Sequence, residues 1–348
     1  MTLGAAIREV RNKQFAPIYL LYGPESFLAE EFVSLVRREM IDPSFRDLNA
    51  SEYDCTETPL AAILEDAETL PFFGERRLVV AREAYFLTGG KPATKVEHDP
   101  DALLQYAENP PAHTTLILMT GQDKLDERKK LVKTLQQKAK VLAFPQLRDA
   151  DLYGWIERRA EVYKAKIGRP QAVKLADRVG GELRLLDKEL EKLALYVGEG
   201  GVIGDEVIEK LAVRTLEQDV FALVEQVALG NLDKALRMMY DCLKMGEEPL
   251  KLLALLARQI RLLLHVRQWA PRGYTQQQLA AMLKVHPYAV KKAMEQARHF
   301  SEESLKKLLA LLAEEDFRIK SGQVDKRIAL ELFITRAHQA RLAAGGRK

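Results

Sequence analysis

At 348 residues and 47% hydrophobic composition the chain can bury two or three domain cores, and its 53 basic and 50 acidic residues leave a net charge of only +3, too small to mark a nucleic-acid binder by itself. Cys55 and Cys242 stand far apart, which excludes a disulfide framework or a cysteine zinc module. No apolar run reaches the roughly 20 residues of a membrane helix, and Arg8, Glu9, Arg11 and Lys13 occupy the stretch that a signal peptide would keep apolar, so a cytoplasmic protein without membrane contact is expected.

The first 145 residues alternate apolar runs with helical patterns, the signature of a mostly parallel sheet with crossover helices. Strands are expected at 18–22 (IYLLY), 78–80 with its flanks (RLVVA), 114–120 (TTLILMT) and 141–144, with a fainter one at 48–53. Helices are expected at 27–38, 60–68, 101–108 and 127–138.

The first strand runs into Gly23-Pro24-Glu25-Ser26-Phe27-Leu28-Ala29-Glu30 and then a helix, the context of a phosphate-binding loop. The chemistry of such a loop is missing. Leu28, Ala29 and Glu30 occupy the positions of its second glycine, its lysine and its magnesium-binding hydroxyl. Glu30 and Glu31 also put negative charge at the helix start, where an anion would bind. Neither 77–81 nor 114–120 ends in the paired acids that hold magnesium. Two readings fit: a retired nucleotide fold, or a strand-to-helix turn that simply needs Gly23.

Residues 70–77 (LPFFGERR) place two adjacent aromatics between a helix and a strand. They form either a protruding wedge that enters an apolar pocket on a partner, or a plug at the edge of the local core.

After Pro145 the strand signals stop and apolar positions recur every three or four residues. Helices are expected at 150–166, 170–179, 182–196 and 205–212, then at 220–228, 232–244, 250–269, 279–283, 288–300, 305–319 and 328–342, with a frayed tail from Gly345. Domains at 1–145, 146–213 and 214–348 follow. Between 249 and 294, Lys251, Arg258, Arg261, Arg267, Arg272, Lys284, Lys291 and Lys292 are interrupted by no acid. This segment could line a path for nucleic-acid phosphates, or form a solvated face or a surface for acidic neighbours. His265 and His286 lack companions at metal spacing, which points to core or capping roles.

Taken together, YLLYGPESFLAEE (19–31), LPFFGERRLVVAR (70–82), DKLDERKKLVKTL (123–135), GGELRLLDKELEKLALY (180–196), HPYAVKKAMEQARHFS (286–301) and EEDFRIKSG (314–322) resemble the delta subunit of the bacterial DNA polymerase III clamp loader, in its Gram-positive form, over nearly the whole chain. The resemblance implies an α/β AAA+-like domain with a degenerate phosphate loop, a helical lid and an all-α collar. It implies a non-catalytic part of a DNA-directed DNA polymerase (nucleotidyltransferase) assembly, with no cofactor or metal of its own. Implied partners are the beta sliding clamp, the gamma/tau motor and delta-prime subunits through the collar, and primer-template DNA. Leu70, Phe72 and Phe73 match the family's clamp-binding element, with Gly74 letting the chain turn, and Arg184 matches a lid arginine that senses nucleotide in active relatives. Against this stand two alternatives: an active ATPase subunit of the same assembly, and a helical DNA-binding scaffold.

Overall fold

The computed structural model describes residues 2–90 and 94–345, with side chains as far as residue 339. Gly346, Arg347 and Lys348 of the tail lie outside the described residues. The chain divides into two compact units, Met1–Gln146 and Leu147–Lys348.

In the first unit the elements run α1 (Leu3–Arg11), β1 (Ile18–Tyr22), α2 (Ser26–Met40), α3 (Arg46–Asn49), β2 (Ala50–Asp54), α4 (Leu60–Glu68), β3 (Arg77–Arg82), α5 (Pro100–Glu108), β4 (Thr114–Thr120), α6 (Lys130–Lys138) and β5 (Lys140–Ala143). The five strands pair in parallel in the order β2-β3-β4-β1-β5. Successive residues of each strand point to opposite faces. Ile18, Leu20, Val79, Ala81, Leu116 and Leu118 therefore pack against α4, α5 and α6, while Tyr19, Leu21, Leu78, Val80, Ile117 and Met119 pack against α1 and α2. Burial on both faces is why these strands read as unbroken apolar runs rather than alternating ones. Helix α1 departs from the sequence reading. Arg8, Glu9 and Arg11 break its apolar pattern, and only Ala6 and Val10 of its residues are buried.

The second unit contains α7 (Asp149–Val162), β6 (Lys166–Ile167), α8 (Arg169–Val179), α9 (Leu183–Val197), β7 (Val202–Ile203), α10 (Asp205–Leu211), α11 (Leu216–Leu229), α12 (Leu232–Lys244), α13 (Pro249–Trp269), α14 (Gln276–Leu283), α15 (Pro287–Gln296), α16 (Glu302–Lys320) and α17 (Lys326–Gly345). It is not wholly helical, as the sequence suggests: β6 and β7 form a small parallel ladder, with Lys166 opposite Val202 and Ile167 opposite Ile203. Two residues are too few to show a period, so only the folded chain displays the pair. One apolar core joins α11 to α17 through Leu223, Met239, Leu256, Leu263, Leu308 and Phe333 among others.

Two of the motif segments meet inside this unit. His286 caps α15, its Nδ1 accepting the Tyr288 N–H at 3.1 Å. A Cβ on Gly181 would lie 2.4 Å from the His286 ring, so only glycine lets the 180–196 segment pass so close. The Tyr288 hydroxyl donates to Asp177, Lys292 pairs with Asp177 at 2.8 Å, and Lys291 pairs with Asp149 at 2.6 Å.

Burial lowers the His286 pKa to about 4. A folded value below the unfolded one of about 6.5 means that the unfolded chain binds the extra proton. The buried neutral imidazole therefore contributes fully above pH about 6.5, and that pH-linked contribution, at most about 3 kcal/mol, is lost as pH falls toward 4. Urea unfolding at pH 7 and pH 4.5 checks this. His286→Asn, which keeps a capping acceptor but cannot titrate, should show a flatter pH dependence than wild type; equal slopes would exclude His286 as the source.

Candidate functional site

The loop between α4 and β3 is tied down at its base. Arg77, nearly buried, forms an ion pair with Asp66 at the end of α4, and Arg76 Nη1 donates to the Ala112 carbonyl at 2.9 Å. At its tip Leu70, Phe72 and Phe73 are 73%, 54% and 77% exposed. The rings stand edge to face, 4.5 Å between centroids. This excludes the plug reading, because neither ring is sealed in the core. Three large apolar side chains exposed together have the character of an interaction surface.

The loop's turn is made by Phe73, whose φ is +50°. A bulky residue rarely adopts this left-handed conformation, at a cost of order 1–3 kcal/mol. Gly74, expected to let the chain turn, instead makes room for a neighbour, since a Cβ there would lie 3.2 Å from the Asn49 Nδ2. Asn49, 1% exposed, donates to the Phe72 carbonyl at 2.9 Å and accepts the Phe72 N–H at 2.6 Å. Sequence reading missed Asn49. Its only local signal is a polar residue entering a strand, and its partner lies 23 positions away.

The turn from β1 into α2 is closed off by the sheet itself. Gly23, at φ +127°, donates to the Thr120 carbonyl at 3.1 Å, and the Glu25 N–H donates to the Phe144 carbonyl at 3.0 Å. A Cβ on Gly23 would sit 2.3 Å from that carbonyl oxygen. Backbone N–H groups that would cradle phosphate elsewhere are spent on β4 and on the residue after β5. Ala29, at the lysine position, is buried against the sheet; Leu28 packs beside the same core. Glu30, at the hydroxyl position, pairs with Arg82 at the end of β3, and Arg82 also bonds Glu52 at 2.8 Å. Arg37 pairs with Glu52 in turn. A carboxylate–guanidinium bridge occupies ground where a hydroxyl and an acid would share a magnesium ion.

The basic segment does not act as one stripe. Lys251 pairs with Glu247 at 2.8 Å, Lys291 and Lys292 pair with Asp149 and Asp177, and the Arg272 guanidinium lies 4.8 Å over the Trp269 ring. Arg258, Arg261, Arg267 and Lys284 make no ion pair among the described residues. Arg258 and Arg261 line a cleft of about 620 Å³ with His265, Phe221 and Leu262. Arg184 lies on the exposed side of α9.

Among the described residues no group of His, Cys, Asp and Glu is placed to hold a metal, and no helix is long and apolar enough to cross a membrane. Burial pushes the Cys55 and Cys242 thiols up to about 12 and about 11, which keeps them protonated and inert as nucleophiles at neutral pH.

The family described as DNA polymerase III, delta subunit, matches residues 19–144, and the DNA polymerase III delta subunit, C-terminal domain, matches residues 217–337. The chain is 39% identical over 327 residues to DNA polymerase III subunit delta of Bacillus subtilis (strain 168), covering 94% of each chain. It is similar in structure to the Bacillus subtilis DNA clamp loader delta protein, with a TM-score of 0.82 and 38% identity over 97% of this chain and 99% of that one.

Proposed function

This chain belongs to the DNA polymerase III delta-subunit family, and from that premise we propose that it binds and opens the ring-shaped beta sliding clamp without hydrolysing ATP itself. Its AAA+-like α/β fold followed by helices is the frame for this role. The observation that carries the reading is the exposed pair Phe72 and Phe73, held on a strained, latched loop with Leu70 beside it. Aromatic anchors of this kind supply most of the energy of a protein interface. Ring opening requires no bond chemistry. A wedge that contacts the opened ring better than the closed one shifts the equilibrium by that difference. Binding of the purified clamp to this chain, with and without the two rings, is the direct test.

The second element of the proposal is a silent nucleotide site. The Glu30–Arg82 bridge and the committed N–H groups of Gly23 and Glu25 support it. Millimolar MgATP should therefore leave the unfolding temperature of the isolated chain unchanged, since a ligand bound at 100 times its Kd would stabilise by about 2.7 kcal/mol. A clear upward shift, or ATP turnover, would restore the active-ATPase reading.

In this proposal residues 146–213 act as a lid and 214–348 as the collar that joins the gamma/tau motor and delta-prime subunits, in a cytoplasmic assembly. The α11–α17 core, which runs from Val220 to Ala337, supports that division. Arg258, Arg261, Arg267 and Lys284, whose charges are unmatched within the described chain, are then the positions for neighbouring subunits or primer-template DNA.

A further inference from the structure

The wedge does not stand alone. Segment 42–49, which precedes β2, carries Phe45, whose ring stacks on Phe73 with centroids 6.4 Å apart and planes 27° from parallel. Leu48 is 51% exposed. Asn49, the next residue, fastens this segment to the loop through both polar groups of the Phe72 backbone. The segment has its own local support: Asp42 accepts the Ser44 N–H at 2.8 Å, opening a short helical turn over Pro43–Phe45.

We infer that the partner-binding surface is a composite of two segments, Phe45–Leu48 and Leu70–Phe73, with Asn49 as the positioning residue that presents both to the partner's apolar pocket. This rests on the reading of Phe72 and Phe73 as the wedge. Three facts carry it. First, a primary amide is the side chain that offers a donor and an acceptor side by side, as the carbonyl and N–H of one residue require. Second, Phe73 holds a left-handed conformation that a bulky residue keeps only when its surroundings over-determine it, and the fixed Phe72 backbone is the adjacent constraint. Third, Gly74 gives the amide the space it occupies. The latch thus preorganises the rings before contact, and preorganisation lowers the entropic cost of binding. Phe45 adds a third ring to the same face.

The test measures binding of the purified sliding clamp from the same bacterium to the full chain and to Asn49→Ala, Asn49→Asp, Phe45→Ala and Phe72→Ala/Phe73→Ala. Asn49→Asp keeps the acceptor for the Phe72 N–H but sets a carboxylate oxygen against the Phe72 carbonyl. Asn49→Ala and Asn49→Asp should each weaken binding about tenfold and Phe45→Ala about three- to tenfold. The Asn49 variants should act mainly by slowing association, because a smaller fraction of the loop is competent to bind, and amide exchange at Phe72 should accelerate in them. In the Phe72→Ala/Phe73→Ala background Asn49→Ala should cost little more. Should Asn49→Ala fail to fold, Asn49→Asp and the partly exposed Phe45→Ala decide. If the double ring variant loses binding while Asn49→Asp and Phe45→Ala bind like wild type, the composite surface is wrong and the wedge stands. If the double ring variant also binds normally, the wedge itself is misplaced and the composite falls with it.

Discussion

Replacing Phe72 and Phe73 together with alanine is expected to weaken clamp binding at least about a hundredfold while leaving the chain's unfolding midpoint within experimental scatter. The two expectations have separate physical bases. An interface anchor costs about 2 kcal/mol or more when truncated, and each 1.4 kcal/mol is tenfold in affinity, so two anchors in one pocket exceed a hundredfold even with some non-additivity. Stability should not follow, because rings that are more than half exposed leave no cavity when removed. Phe73→Gly sharpens the assignment. It deletes the same ring as Phe73→Ala but relaxes the backbone at φ +50°. Equal binding losses for the two variants assign the effect to the ring, whereas a smaller loss for glycine, which holds a positive φ without strain, would assign part of it to the loop's conformation. Wild-type affinity in the double alanine variant would move the site elsewhere on the chain.

The second large effect is expected in the α16–α17 pair. Glu315 is fully buried, with Arg318 Nη1 at 3.1 Å from both carboxylate oxygens and Arg336 Nη1 at 3.0 Å from one of them. Arg336 also reaches Glu314 at 3.1 Å, so three residues of the EEDFRIKSG segment and the facing helix form one network. A buried carboxylate is tolerable only while its counter-charges remain. Arg318→Met/Arg336→Met should therefore destabilise the chain by about 3–5 kcal/mol, read as a lower urea midpoint by circular dichroism. Adding Glu315→Leu to that pair should recover most of the loss, because an apolar triad of similar volume removes the stranded charge. A double variant as stable as wild type, or a triple variant no better than the double, would show that the network contributes little. If this helix pair closes the collar, the double variant should also assemble poorly with its neighbours.

Much of the scaffold was legible in the chain because its signals are local. Strands at 18–22 and 114–120 are apolar throughout, as burial on both faces requires, and the later helices repeat apolar residues at three and four positions. The loss of phosphate chemistry at Leu28, Ala29 and Glu30 was equally plain, since it concerns residue types at fixed spacing. Phe72 and Phe73 stood out as paired aromatics beside proline and glycine, but the residues alone could not say whether they faced inward or outward.

What the linear sequence determined by itself is therefore the order of the longer strands and helices, the family likeness and the residue types that stand at Leu28, Ala29 and Glu30. Only the tertiary structure decided that the rings project, that Phe73 rather than Gly74 makes the turn, that Asn49 latches a loop 23 residues away, that Glu30 meets Arg82, and which cations of the basic segment are already matched by Asp149 and Asp177. The reason is physical. Periodicity and motif spacing are written in neighbours along the chain, whereas a hydrogen bond or an ion pair between distant residues exists only after the sheet and helices have brought them within about 3 Å.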